Sequence, residues 1–140
     1  MSVVDLEEAR VALRGDEPQR LLGLCECLWL DAKLKPYQLK NPVHVEELAK
    51  DVAGFANTAI GGLIVLGIGT RERHGSEVLD HLVPFQRSIV HSKQYRDLIR
   101  ERITPSPRGV SVEWSDCGNG TGVAFIDIPR QPAANFAHDG

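Results

Sequence analysis

The run from Asn41 to Ile68 constrains this chain more than any other. Asn41 can accept a backbone N–H as a helix cap, and Pro42 suits the first helical position. Val45, Leu48, Ala49, Val52 and Ala56 then recur at helical spacing, while Glu46, Glu47, Lys50 and Asp51 take the opposite face. This predicts a helix over Val45 to Asn57 that packs Leu48, Val52 and Phe55 or Ala56 onto a sheet. Gly61 and Gly62 stop it, since glycine accepts the left-handed backbone of a helix exit. Leu63 to Ile68 is apolar on both faces, which predicts an interior strand from Gly61 to Ile68 covered on two sides.

The flanking segments fit a layered domain around that strand. Residues 5–14 have helical composition and Gly15 ends them; Pro18 suits the first turn of a short helix through Leu24. Leu28 to Leu34 reads as a strand, residues 35–42 as a loop, and residues 69–91 as polar and loop-rich. A helix from about Ser92 to Ile103 turns Tyr95, Leu98, Ile99 and Ile103 inward, and Thr104-Pro105-Ser106-Pro107 breaks it. Val110 to Trp114 and Val123 to Ile128 form two antiparallel strands joined by a turn-rich Asp116 to Gly122. The order implies an α/β (α+β) two-layer sandwich of about four strands with two or three helices.

At 140 residues the chain makes one domain, and 42% hydrophobic with 25% charged residues is a globular composition. No apolar run approaches the roughly 20 residues of a spanning helix, and Asp5, Glu7 and Glu8 stand where a signal peptide would be basic and apolar. Cys25, Cys27 and Cys117 lack CxxC spacing and read as reduced thiols of a cytoplasmic protein, the first two as small apolar neighbours of Glu26. A net charge of −3 argues against nonspecific coating of nucleic acid, yet the bases are unevenly placed. Lys33, Lys35 and Lys40 cluster after the first strand, Arg71, Arg73 and His74 follow the central one, and Lys93, Arg96 and Arg100 line one face of the later helix.

Taken as a set, LDAK (Leu30 to Lys33), KDVAGFANT (Lys50 to Thr58), Gly61-Gly62 and LGIG (Leu66 to Gly69) resemble the AlbA-like, DNA-binding domain of the Schlafen type. The resemblance covers about residues 20–129, with residues 1–19 as an N-terminal helical extension and 130–140 as a tail. The family usually continues through a further strand, so the chain reads either as a domain cut from a longer protein or as a naturally short version.

The resemblance implies an AlbA-like fold and, in the ribonucleases of this type, a metal site of three carboxylates. Two lie five residues apart around the first strand and the third just past the central one. Glu26 and Asp31 fall on the first two positions, with Asp where Glu is usual. Where the family pattern reads Gly-Val-Asp-Asp, this chain has Gly67-Ile68-Gly69-Thr70, with Glu72 nearby in a charged loop. Metal-assisted hydrolysis needs converging carboxylates. The expectation is therefore a non-catalytic, regulatory module that binds DNA or RNA, without a cofactor and without a membrane partner. A metal-dependent ribonuclease using Glu26, Asp31 and a divalent cation is one alternative, and a protein-interaction or homo-oligomerisation domain is another.

The residues expected to meet phosphates are Lys33, Lys35, Arg71, Arg73, Lys93, Arg96 and Arg100, with Lys33, Lys35, Arg71 and Arg73 on a common face. Glycines 61, 62, 67 and 69 are expected to hold no nucleotide, since neither pair precedes a helix N-terminus as a phosphate cradle must. The five histidines show no metal-binding spacing and read as surface or loop residues. Asn57 and Thr58 are expected to fix the turn after the helix through bonds to the backbone.

Overall fold

The computed structural model describes Val3, residues 5–132 and residues 135–138. Residues 1, 2, 4, 133, 134, 139 and 140, within the two terminal segments set apart above, lie outside the described residues. The chain runs α1 (Leu6–Arg14), a 3-10 turn (Pro18–Leu21), β1 (Leu30–Lys33), α2 (Pro42–Ala56), β2 (Gly62–Leu66), β3 (Ile68–Arg73) and β4 (Ser76–Leu82). It continues with β5 (Phe85–Gln86), a second 3-10 turn (Arg87–Ile89), α3 (Ser92–Arg102), β6 (Ile103–Thr104), β7 (Ser111–Gly118), β8 (Thr121–Ile128) and β9 (Ala137–His138).

The mixed α+β sandwich expected from the sequence is what forms, with nine strands among the described residues in place of four. Five of them make the central sheet. β1 and β2 are parallel, linked through α2, while β8 runs antiparallel to β2 over Ala124–Ile128 and to β5 over its first two residues. β7 pairs along the other edge of β8.

Period-2 alternation sends neighbouring side chains of this sheet into two cores. Ile64, Leu66, Ala124, Ile126 and Ile128 join Leu48, Val52 and Ala56 of α2 and Tyr95 and Ile99 of α3 on one face. Leu30, Leu63, Val65, Val123 and Phe125 meet Leu6, Ala9, Ala12 and Leu13 of α1, together with Ile68 and Leu79 of the β3–β4 hairpin, on the other. β2 is therefore covered on both sides, as its apolar run predicts, and every one of its residues is buried.

Helix α2 starts as expected, the Asn41 side chain accepting the Val43 N–H at 3.0 Å with Pro42 in its first turn. At its exit the two residues of interest divide. Thr58 caps the turn locally, its hydroxyl donating to the Phe55 carbonyl and accepting the Gly61 N–H at 3.0 Å. Asn57 instead reaches across the fold and pairs with both backbone groups of Phe136, at 3.1 and 2.8 Å. Gly61 has φ +81, and a Cβ there would fall 2.1 Å from the Ile128 carbonyl oxygen. The Phe55 ring covers Gly62 so closely that a Cβ would lie 2.3 Å from it. The glycine pair thus lets the chain turn tightly under Phe55 and against β8.

Four expectations need correction. The interior strand stops at Leu66 and not Ile68, because Gly67 at φ +104 redirects the chain into β3. The segment 69–91, read as loop-rich, begins with a hairpin of two paired strands whose tip is His74-Gly75, both at positive φ. The same geometry recurs at Asn119-Gly120, so β7 and β8 extend into the stretch 116–122 that reads as a connection. The three thiols are exposed, so Cys25 and Cys27 do not pack as small apolar neighbours of Glu26.

α1 is fastened to the sheet by charge as well as by its apolar face. Asp127 of β8 is 4% exposed and takes hydrogen bonds from Arg10 Nε at 3.0 Å and from Arg14. Arg14 also binds Glu113 of β7 through two nitrogens, at 3.2 and 2.6 Å. The hydrogen bond from Arg14 holds the Glu113 carboxyl below its usual range, against the opposing effect of burial.

Candidate functional site

On β1 the alternation turns Leu30 and Ala32 toward the α1 side and leaves Asp31 and Lys33 facing α2. There the Lys33 ammonium meets three carboxylates: Glu47 at 3.0 Å, Asp51 at 3.3 Å and Asp31 at 3.4 Å. It also lies 6.0 Å from the centre of the Tyr37 ring, whose hydroxyl donates to Asp51 at 2.6 Å. Burial would lower the Lys33 pKa, but the hydrogen bond to Glu47 and the charges of Asp31 and Asp51 outweigh it and hold it above the usual lysine range. The Tyr37 hydroxyl is likewise pushed upward, by burial first and then by the Asp51 charge.

Glu26 and Asp31, the two acids expected to belong together, do meet. A Glu26 carboxylate oxygen accepts the Ala32 N–H at 2.8 Å, which sets the Glu26 carboxylate close enough to Asp31 to raise its pKa. Burial and this contact raise the Asp31 pKa to about 6, against the opposing pull of Lys33. With Lys50, Asp51, Gly54 and Phe55 they line an open depression of about 400 Å³.

The third carboxylate of the expected set has no counterpart there. Thr70, at the matching position, donates its hydroxyl to Glu77 at 2.9 Å, and Glu72 stands exposed on β3 opposite Glu77. The acids that do join come from α2. Glu47 and Asp51, which helical periodicity assigns to the outer face, sit one turn apart and reach β1 through Lys33. Their spacing of four was the available signal, since it places both on one stripe of the helix. Among the described residues no three His, Cys, Asp or Glu side chains are arranged to hold a metal ion. An ammonium occupies the point where Asp31, Glu47 and Asp51 converge.

The bases expected to meet phosphates are divided among separate surfaces. Lys33 is spent on the cluster just described. Lys35 lines a groove with Leu39, Phe85 and Ile89. Arg71 and Arg73 lie on the β3–β4 hairpin beside Cys25 and Ser76, with Arg71 Nε 3.2 Å from Asp80.

Lys93, Arg96 and Arg100 stay together. They line one depression of about 300 Å³, closed by Ser106 and Gly109 from the segment after α3. Asp97 is the acid among them, bound to Lys93 at 2.8 Å and to Arg100. Its carboxyl is held below the usual range by the Lys93 hydrogen bond first and by Arg100 as well. Arg96 bonds to the Ser92 carbonyl at 3.4 Å and has no carboxylate partner among the described residues. Three cations against one anion leave this surface positive.

No family model matches the chain, and no curated protein matches it. Among solved structures it is similar to the DIP2311 protein of Corynebacterium diphtheriae, at 21% identity and a TM-score of 0.48 over 79% of this chain. The match covers 19% of that protein's chain.

Among the described residues no helix is long and apolar enough to cross a membrane.

Proposed function

We propose that this chain is an AlbA-like domain of the Schlafen type that binds nucleic acid without cleaving it, as a regulatory module in the cytoplasm. The observation that carries the proposal is the shared depression of Lys93, Arg96 and Arg100. On α3 these residues are spaced three and four apart, so they form one stripe along the helix. Such a stripe can follow consecutive phosphates and neutralise them, which gives affinity without reading sequence. The adjoining Ser106 hydroxyl and the Gly109 backbone suit further contacts to phosphate oxygens. Lys33 takes no part, because it faces three carboxylates where Lys93 and Arg100 share one, and Arg71 lines a different depression on the β3–β4 hairpin.

The reading is tested by fluorescence anisotropy with labelled 20-residue oligonucleotides at low salt. Arg96→Ala with Arg100→Ala should weaken binding at least tenfold for all sequences alike, while Lys33→Ala with Arg71→Ala should leave it close to the parent. Equal loss in the two double variants would move the interface away from α3.

A second reading, a degenerate ribonuclease, is favoured by the contact between Glu26 and Asp31. Manganese-stimulated cleavage of RNA that disappears in Glu26→Gln would establish it. The Lys33 ammonium argues for the binding module instead.

A further inference from the structure

The segment that follows α3 carries a hydroxyl between two prolines, in Thr104-Pro105-Ser106-Pro107. A residue before proline is pushed out of the helical region into extended backbone, and Ser106 accordingly belongs to no helix or strand. It is exposed, and its hydroxyl makes no hydrogen bond among the described residues. An enzyme that grips an extended chain can therefore reach it. The chain holds one other Ser-Pro or Thr-Pro pair, Thr104-Pro105, whose setting differs: Thr104 lies in β6, paired with Ala137 of β9.

The surroundings of Ser106 are positive. It lines the α3 depression with Lys93, Arg96 and Arg100, where Asp97 is the acid. Three cations less one anion leave a net charge of +2. Asp97 shows that these side chains can close on an anion, since it is bound by Lys93 at 2.8 Å and by Arg100. Arg96, bonded to the Ser92 carbonyl at 3.4 Å, is the cation left for a second one. A phosphoserine carries about −1.5 to −2 near neutral pH and offers three acceptor oxygens. At Ser106 it would balance the depression almost completely, and planar guanidinium groups suit its oxygens. The same three cations are those that would meet the phosphates of a nucleic acid, and they cannot serve both at once.

We propose that Ser106 is a phosphorylation site, and that a phosphate attached there engages Lys93, Arg96 and Arg100 and displaces nucleic acid from α3. This rests on the nucleic-acid reading above and assigns its regulation. The donor is ATP, and the catalyst is a protein kinase that accepts Ser-Pro. The Ser106 Oγ bonds to the γ-phosphorus of ATP as that phosphorus parts from the β–γ bridging oxygen. ADP leaves, and the hydroxyl proton passes to the base of the kinase.

The test treats the whole chain with a purified proline-directed serine/threonine kinase and magnesium–ATP, locates the phosphate by mass spectrometry, and measures binding of a labelled duplex at low salt before and after. Ser106 should carry the phosphate. Affinity should fall at least tenfold and the logarithmic salt slope should flatten by about 1.8, the loss of two phosphate contacts. A phosphatase should restore both. Ser106→Ala, compared with itself before and after treatment, should show no change. Phosphorus NMR supplies a readout independent of nucleic acid. The second pKa of the phosphoserine, ordinarily about 6, should lie lower in the parent chain than in Arg96→Ala with Arg100→Ala. A phosphate placed on Thr104, or on no residue, overturns the inference. Phosphate on Ser106 with duplex affinity unchanged, with equal pKa values in the two proteins, or with an affinity loss that accompanies thermal unfolding, overturns it and leaves the α3 reading standing. Absence of duplex binding before and after treatment overturns the α3 reading and the switch with it.

Discussion

The Lys33 ammonium lies 3.3 Å from a carboxylate oxygen of Asp51, joining β1 to α2 across the parallel crossover. Asp31 and Glu47 complete its surroundings, so one cation balances three anions with Glu26 adjoining. Lys33→Met keeps the aliphatic stem and removes the charge. It should destabilise the fold by about 2 kcal/mol at neutral pH, below the 3–5 kcal/mol of a fully buried broken pair because the Lys33 side chain is 26% exposed. Urea unfolding at pH 7 measures this, and a stability equal to the parent would mean that the cluster is held by solvent and not by Lys33.

A pH dependence follows from the same cluster. Asp31 titrates near 6 in the fold against 3.8 ordinarily, so the folded state binds its proton more tightly than the unfolded one. The group therefore favours folding below about pH 4 and progressively loses that contribution as pH rises to about 6. Asp31→Asn should flatten the stability profile across this window by on the order of 1 kcal/mol. Denaturant midpoints taken from pH 3.5 to 7.5 provide the comparison; a parallel offset of the two profiles would place the titrating proton elsewhere.

Two glycines in the helix-to-strand passage should respond in opposite directions. Gly61→Ala meets the Ile128 carbonyl oxygen at 2.1 Å from a backbone with φ +81, and should cost on the order of 2 kcal/mol. Gly54 lies exposed inside α2 with nothing within 4 Å of an added Cβ. Gly54→Ala should therefore stabilise the domain by about 0.5–1 kcal/mol, since helical glycine carries that entropic penalty. Thermal melts of the pair decide the point: the account requires shifts of opposite sign.

Much of this frame was legible because local chemistry and tertiary need coincide. Asn41-Pro42 caps α2 in the structure as its side chains dictate, and the apolar run after Gly62 could bury both faces only in mid-sheet. The β3–β4 hairpin leaves little trace in the sequence because Thr70 to Arg73 and Ser76 to Asp80 are mostly exposed and carry little hydrophobic alternation; the turn residues His74-Gly75 are its one signal. The chemistry of Asn57 suggests a local turn former, yet its amide serves Phe136, a partner that no spacing in the sequence indicates. Among the site residues, Glu26 and Asp31 could be paired from the resemblance. The neutralisation of Lys33 could not, since it depends on which stripe of α2 faces β1.

Asp127 should be the costliest polar position outside the cluster. Asp127→Ala leaves Arg10, whose side chain is 14% exposed, facing the sheet without its β8 carboxylate, and should destabilise by about 3 kcal/mol. Glu113→Ala removes only the half-exposed partner of Arg14 and should cost less than about 1 kcal/mol. Chemical denaturation of both variants tests the ranking, and equal losses would contradict it.

The central claim, that α3 presents the nucleic-acid interface, is met most directly by the salt dependence of binding. Affinity for a duplex should fall linearly on logarithmic axes between low and physiological salt, each phosphate contact contributing about 0.9 to the slope. Removing two contacts through Arg96→Ala with Arg100→Ala should then flatten the slope by about 1.8, whereas Lys33→Ala with Arg71→Ala should leave it unchanged. A slope that survives loss of the α3 arginines but collapses with Lys33 and Arg71 would contradict the account.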